Sequence, residues 1–191
     1  MIHFVGAGPG APDLITVRGQ RLLQEADQVI YAGSLVNPEL LKLTKEGCRI
    51  YNSAVMTLEE VLFQMQEGEE KGWMTVRLHT GDPSLYGAVR EQMDRLDELG
   101  ISYDSCPGVS LRLAVRPRRW NLEYTLPDVS QSVVITRMEG RNPCAGKGKS
   151  TLLCRASVHY GVFLSAGLLK ELEAERSGRR ICSGNSGSHR L

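Results

Sequence analysis

Three short loops hold the residues with chemistry to offer. Gly6-Ala7-Gly8-Pro9-Gly10 follows the apolar run Ile2-His3-Phe4-Val5. Thr80-Gly81-Asp82-Pro83-Ser84-Leu85-Tyr86-Gly87 follows Thr75–Leu78, and Cys106-Pro107-Gly108-Val109-Ser110 follows Ile101–Ser105. Glycine lets a backbone turn sharply and lets a ligand approach with no Cβ in the way. Polar groups set among such glycines suit a small polar ligand. Each loop also has a plainer use, because Asp, Pro and Gly are the ordinary residues of turns and helix caps. His79 beside the second loop serves as a base in one reading and as a structural strand-end residue in the other. The chain shows no paired carboxylates, no metal-ligand spacing and no nucleophile–base arrangement.

The elements that must position these loops follow from periodicity. Leu14–Glu25 predicts a helix with Leu14, Val17 and Leu22-Leu23 on one side. Asp27–Tyr31 predicts a second strand running into the loop Ala32-Gly33-Ser34-Leu35-Val36, and Pro38–Leu43 a short helix with proline in its first turn. Arg49–Ser53 is a further strand, and Thr57-Leu58-Glu59-Glu60 has the form of a capping box opening a helix to about Glu67. Thr75–Leu78 is a buried strand, Leu85–Leu99 a helix closed by Gly100, and Ile101–Ser105 another strand. Alternating strands and helices predict an α/β fold with a doubly wound parallel sheet. Ligands of such sheets sit at the carboxyl ends of the strands, where the glycine loops fall.

Composition bounds the rest. A chain of 191 residues holds one large or two small domains, and 41% hydrophobic with 24% charged residues is ordinary for a soluble protein. No apolar run reaches transmembrane length and no leader pattern opens the chain, so a cytoplasmic protein with no membrane contact is expected. The five cysteines, Cys48, Cys106, Cys144, Cys154 and Cys182, have neither disulfide-framework nor zinc spacing. The net charge of +1 conceals an asymmetry: residues 1–105 carry 9 Lys/Arg against 16 Asp/Glu, and residues 106–191 carry 14 against 6. A basic half allows a non-catalytic module binding an anionic partner such as nucleic acid. No aromatic residues alternate with those charges, however.

Gly6-Ala7-Gly8-Pro9-Gly10-Ala11 can be laid on the dinucleotide fingerprint, which would make the chain a nicotinamide-dependent oxidoreductase. That fingerprint wants an acidic residue at the end of the second strand, where this chain has Tyr31-Ala32-Gly33. Pro9 also removes a backbone donor from the turn that would hold a pyrophosphate. Taken alone, the turn serves equally as a structural turn or as a ligand cradle.

Taken together, the motifs are more specific. Val5-Gly6-Ala7-Gly8-Pro9-Gly10-x-x-x-Leu14-x-Thr16, Tyr31–Val36, His79–Gly87 and Pro107-Gly108-Val109-Ser110 resemble the tetrapyrrole methylases. Asn121–Pro127 and Val133–Gly140 extend the resemblance beyond the first half. It implies two α/β domains, one at 1–110 with the parallel doubly wound sheet and, in 111–191, a linker and a smaller domain with a mixed sheet, with S-adenosyl-L-methionine in the trough between them, and a homodimer. By motif, Pro9, Thr80, Gly81, Asp82, Leu85 and Ser110 would contact the cofactor, with Ser165 after Val162-Phe163-Leu164 as a further wall. The resemblance is nearest to the members that methylate C-11 of precorrin-4. Arg137 and Arg141 are then candidate contacts for that anionic tetrapyrrole, and neither metal nor nucleic acid is implied. Members acting on uroporphyrinogen carry an acidic residue where this chain has Ala32, so no general base is named.

The resemblance lapses at Leu111–Trp120, at about 142–160 and from Arg176 to Leu191, stretches that pool arginine, glycine and serine. The abrupt loss and return of pattern leads us to expect out-of-frame translation there and an incomplete second domain.

Overall fold

The computed structural model describes residues 1–110, 131–137 and 159–163, the last five as backbone. It divides into two compact units, Met1–Val115 and Arg116–Leu191.

In the first unit, strand β1 (Ile2–Gly6) is buried along its whole length. That is the pattern of a strand covered on both faces. It pairs in parallel with β4 (Thr75–His79) on one side and β5 (Tyr103–Cys106) on the other. β2 (Gln28–Tyr31) lies between β4 and β3 (Arg49–Asn52), giving a five-stranded sheet of order β3-β2-β4-β1-β5. The doubly wound parallel sheet expected from the sequence is therefore present.

Alternation along the strands sends side chains to two cores. Val5, Val29, Val76 and Leu78 meet Leu22 and Leu23 of helix α1 (Val17–Glu25) and Leu40 of a 3-10 helix at Pro38–Leu43. On the opposite face Ile2, Phe4 and Ile30 meet Val61, Leu62 and Met65 of α2 (Leu58–Glu70) and Leu96 of α3 (Arg90–Glu98). Full burial of one such side chain stabilises the fold by about 2 kcal/mol. The capping box of α2 forms in full: Thr57 accepts from the Glu60 amide, and Glu60 accepts from the Thr57 amide.

Two expectations are corrected. Helix α1 starts at Val17, because the Thr16 side chain accepts from the Gly19 amide and caps it there. Leu14 and Val17 are consequently exposed, and the buried stripe is Gly19, Leu22 and Leu23. Helix α3 starts at Arg90 rather than Leu85. Tyr86 and Ala88 take left-handed conformations, with φ of 57° and 50°, which no helix accommodates.

In the second unit β6 (Val133–Arg137) and β7 (His159–Phe163) pair in parallel. No helix among the described residues is long and apolar enough to cross a membrane.

Candidate functional site

Because the first sheet is parallel, the carboxyl ends of its strands share one edge, and the loops after them meet there. The β1 and β4 loops form a short antiparallel bridge: the Gly8 amide donates to the Gly81 carbonyl at 3.2 Å and the Gly81 amide to the Gly8 carbonyl at 2.8 Å. The Ala7 amide donates to the His79 carbonyl at 2.6 Å. The β5 loop is tied in by Asp82, whose Oδ2 accepts from the Gly108 amide at 2.9 Å. Its Oδ1 accepts from the Ser84 amide at 2.8 Å and from the Ser84 hydroxyl. Thr80 Oγ1 donates to the Leu35 carbonyl of the β2 loop at 2.7 Å, and Asn37 Nδ2 to the Gly10 carbonyl at 2.7 Å. Ser53 Oγ, just past β3, donates to the Tyr31 carbonyl at 3.0 Å. All five loops of the edge are thus stitched to one another.

Close approach explains the glycines. A Cβ on Gly6 would lie 2.5 Å from the Gly81 carbonyl oxygen and 2.6 Å from the Gly108 nitrogen, and one on Gly108 would lie 2.7 Å from Gly6 Cα. Gly6 and Gly108 pack backbone on backbone against each other and against the Gly81 carbonyl, and a side chain on either would part the loops.

Beneath this edge, His79 and Arg77 share the face of β4 that carries α2 and α3. Burial and the neighbouring Arg77 cation push the His79 pKa down to about 3, and its ring stacks on Phe4. It is neutral near pH 7 and a weak proton acceptor.

The structure gathers Pro9, Thr80, Gly81, Asp82, Leu85 and Ser110 in the first unit. Gly81 and Ser110 are buried and the other four are partly so. Asp82 and Thr80 spend side-chain bonds on neighbouring loops, which makes them clamps as much as candidate contacts. Arg137 ends β6 in the second unit. Arg141 and Ser165 lie outside the described residues, as do the segments 111–120, 142–158 and 176–191 where the sequence pattern lapses. The motifs that contain Gly6, Thr16 and Gly108 do not by themselves show that these three residues hold the loops to one another. Thr16 Oγ1 donates to the Pro107 carbonyl at 3.4 Å and joins the start of α1 to the β5 loop. The signal that could have found the glycines was their common place at the carboxyl ends of the strands: Gly6 closes β1, and Gly81 and Gly108 follow β4 and β5 by two residues.

Residues 1–180 match the family described as Tetrapyrrole (Corrin/Porphyrin) Methylases. The chain belongs to that family. Among curated tetrapyrrole methylases it is 47% identical to a cobalt-precorrin-4 C(11)-methyltransferase of Methanocaldococcus jannaschii, over 91% of this chain and 67% of the relative. It thus spans about two thirds of that protein's length. A solved cobalt precorrin-4 methyltransferase superposes with a TM-score of 0.84 at 40% identity, covering 93% of this chain and 74% of the other. A second tetrapyrrole methylase, uroporphyrin-III C-methyl transferase from Thermus thermophilus complexed with S-adenosyl homocysteine, gives a TM-score of 0.72 at 26% identity. That match covers 94% of this chain and 73% of the solved one.

Proposed function

We propose that the chain is an S-adenosylmethionine-dependent C-methyltransferase acting at C-11 of precorrin-4, or of its cobalt form, in cobalamin biosynthesis. The observation that carries the reading is the edge of interlocked loops, in which Gly6, Gly81 and Gly108 touch and Asp82 ties two loops together. The cofactor fits this edge by the chemistry of its groups. The loops at residues 6–16, 32–37, 80–89 and 107–110 contain Asp13 and Asp82 and no lysine or arginine. Such a surface suits a sulfonium cation better than a pyrophosphate, which would meet no cationic side chain and one backbone donor fewer at Pro9; this favours the methylase reading over a nicotinamide dinucleotide.

In this reading Pro9 and Gly81 offer backbone to the cofactor, Leu85 offers apolar surface, and Thr80, Asp82 and Ser110 fix the loops and their polar groups. When bound, S-adenosylmethionine supplies a methyl carbon already activated by its sulfur. What remains for the protein is alignment of that methyl with a nucleophilic carbon and exclusion of water, which rigid loops accomplish. His79 is not assigned the acceptor's proton, because its buried neutral ring holds one poorly. Arg137 and Arg141, in and just after the Val133–Gly140 match, are proposed contacts for the polycarboxylate macrocycle by their charge, and Ser165 is a proposed contact for the cofactor by motif. A homodimer and a cytoplasmic location accompany the reading, by family resemblance and by the unpaired pattern of cysteines.

Calorimetric titration of the 191-residue chain with S-adenosylhomocysteine, with NAD as control, tests it. About one site per chain for the first and none for the second is expected. NAD binding alone would return the oxidoreductase reading. Methyl transfer to the tetrapyrrole then decides the acceptor.

A further inference from the structure

Arg77 is the one arginine or lysine buried among the described residues, at 6% exposure in the middle of β4. Isolating a charge in a core is costly unless it is well bonded. Its bonds are neutral: Nε donates to Gln92 Oε1 at 2.9 Å and Nη1 to the Ile30 carbonyl at 3.1 Å. Burial brings its pKa down to about 10, which still leaves it charged near pH 7. Stability alone would favour an apolar residue at such a place, so what the guanidinium reaches is informative. Gln92 is itself buried, and its Nε2 donates to the Ala88 carbonyl at 3.1 Å.

Ala88 ends a turn that its sequence does not favour. Tyr86 and Ala88 have φ of 57° and 50° without being glycine, at roughly 1–2 kcal/mol each. Gly87 between them lies against Pro83, where a Cβ would be 2.9 Å from the Pro83 carbonyl carbon. One end of this turn hangs from Asp82, through the Leu85 amide donating to the Asp82 carbonyl at 3.1 Å. The other end meets Gln92. A continuous path, Ile30 carbonyl to Arg77 to Gln92 to Ala88 carbonyl, therefore runs from the centre of the sheet to the turn that carries Leu85. Arginine suits the post because its planar fork donates in two directions at once, toward β2 and toward α3.

We infer that Arg77 and Gln92 are positioning residues, a buried strap that holds the Pro83–Ala88 turn in the shape with which it faces the ligand. The inference rests on the reading of that turn as a wall of the cofactor site. Two variants of the full chain test it. Gln92→Met keeps the packing of α3 and removes both bonds. Gln92→Glu keeps an acceptor for Arg77, now within an ion pair, and removes the donor to Ala88. Amide hydrogen exchange without ligand should rise at least tenfold at residues 85–89 in both variants, while β1 and α1 keep their protection. Affinity for S-adenosylhomocysteine should fall about tenfold in both, and Gln92→Glu should keep its urea midpoint.

If Gln92→Glu matches the unaltered chain at the turn and in affinity, the strap is overturned. Exchange rising uniformly through α1, α2 and the turn would make Gln92 a general packing residue and overturn it equally. Should the unaltered chain fail to bind S-adenosylhomocysteine, the cofactor reading falls, and the exchange pattern still decides the strap.

Discussion

His79 lies one residue before Thr80 and two after the Arg77 cation, on the same face of β4, and only 4% of it is exposed. Desolvation, followed by repulsion from Arg77, depresses its pKa from 6.5 to about 3. The consequence for stability has a definite sign. Between those two values the unfolded chain binds a proton that the folded chain refuses, so stability falls as pH falls through that window. The loss from this residue is about 1.4 kcal/mol per pH unit, and it contributes nothing above the window. Replacing His79 with Asn should flatten the dependence of urea stability on pH between 4 and 6. An unchanged slope would show that the folded chain protonates His79 as readily as the unfolded one.

The glycines of the loops separate two costs that a substitution can carry. Gly47 has a positive φ of 80° and no atom within 4 Å of a built Cβ, so Gly47→Ala meets only the backbone preference, about 1 kcal/mol. At Gly108 a Cβ meets the Gly81 carbonyl and Gly6 Cα. Gly108→Ala should cost more than about 3 kcal/mol, or prevent folding, because two backbones must separate. Urea denaturation of the pair measures the difference, and equal losses would mean that the loops yield easily.

Elements of this kind show what the sequence carried. The strands, the Thr57–Glu60 cap and the carboxyl-edge loops were legible because each depends on near neighbours in the chain. The start of α3 was not. Leu85 and Val89 have helical spacing, but Ser84 bonding back to Asp82 and Gly87 pressed on Pro83 hold that stretch as a turn. Val17 was misplaced for a similar reason, since Thr16 capping sets where α1 begins. At the site, the spacing of the motifs marked Asp82, whereas its bond to Gly108 joins residues 26 apart in the chain and belongs to the fold. Arg77 and Gln92 gave no signal, because a single arginine in an apolar strand looks like the polar side of an alternating one.

At the scale of the molecule, the first unit has a sheet covered on both faces by its own helices and carries the whole interlocked edge. A chain cut after Val115 should therefore unfold cooperatively in urea with a single transition. A broad, non-cooperative curve would mean that it leans on the remaining residues. The charge asymmetry follows the same division, with the acidic excess in the first unit and the basic excess in the second.

The strand order also governs how the protein is made. β1 is synthesised well before either of its neighbours and ends up inside the sheet, between β4, opposite it at Ile2 and Thr75, and β5, at Ile2 and Tyr103. While the ribosome adds the intervening residues, an apolar strand with two open edges waits for partners that do not yet exist. Pairing across so long a loop is slow, and an unpaired hydrophobic strand is the kind of segment that aggregates or engages a chaperone. Birth of the nascent chain, more than wear on the finished one, is where this topology is most exposed.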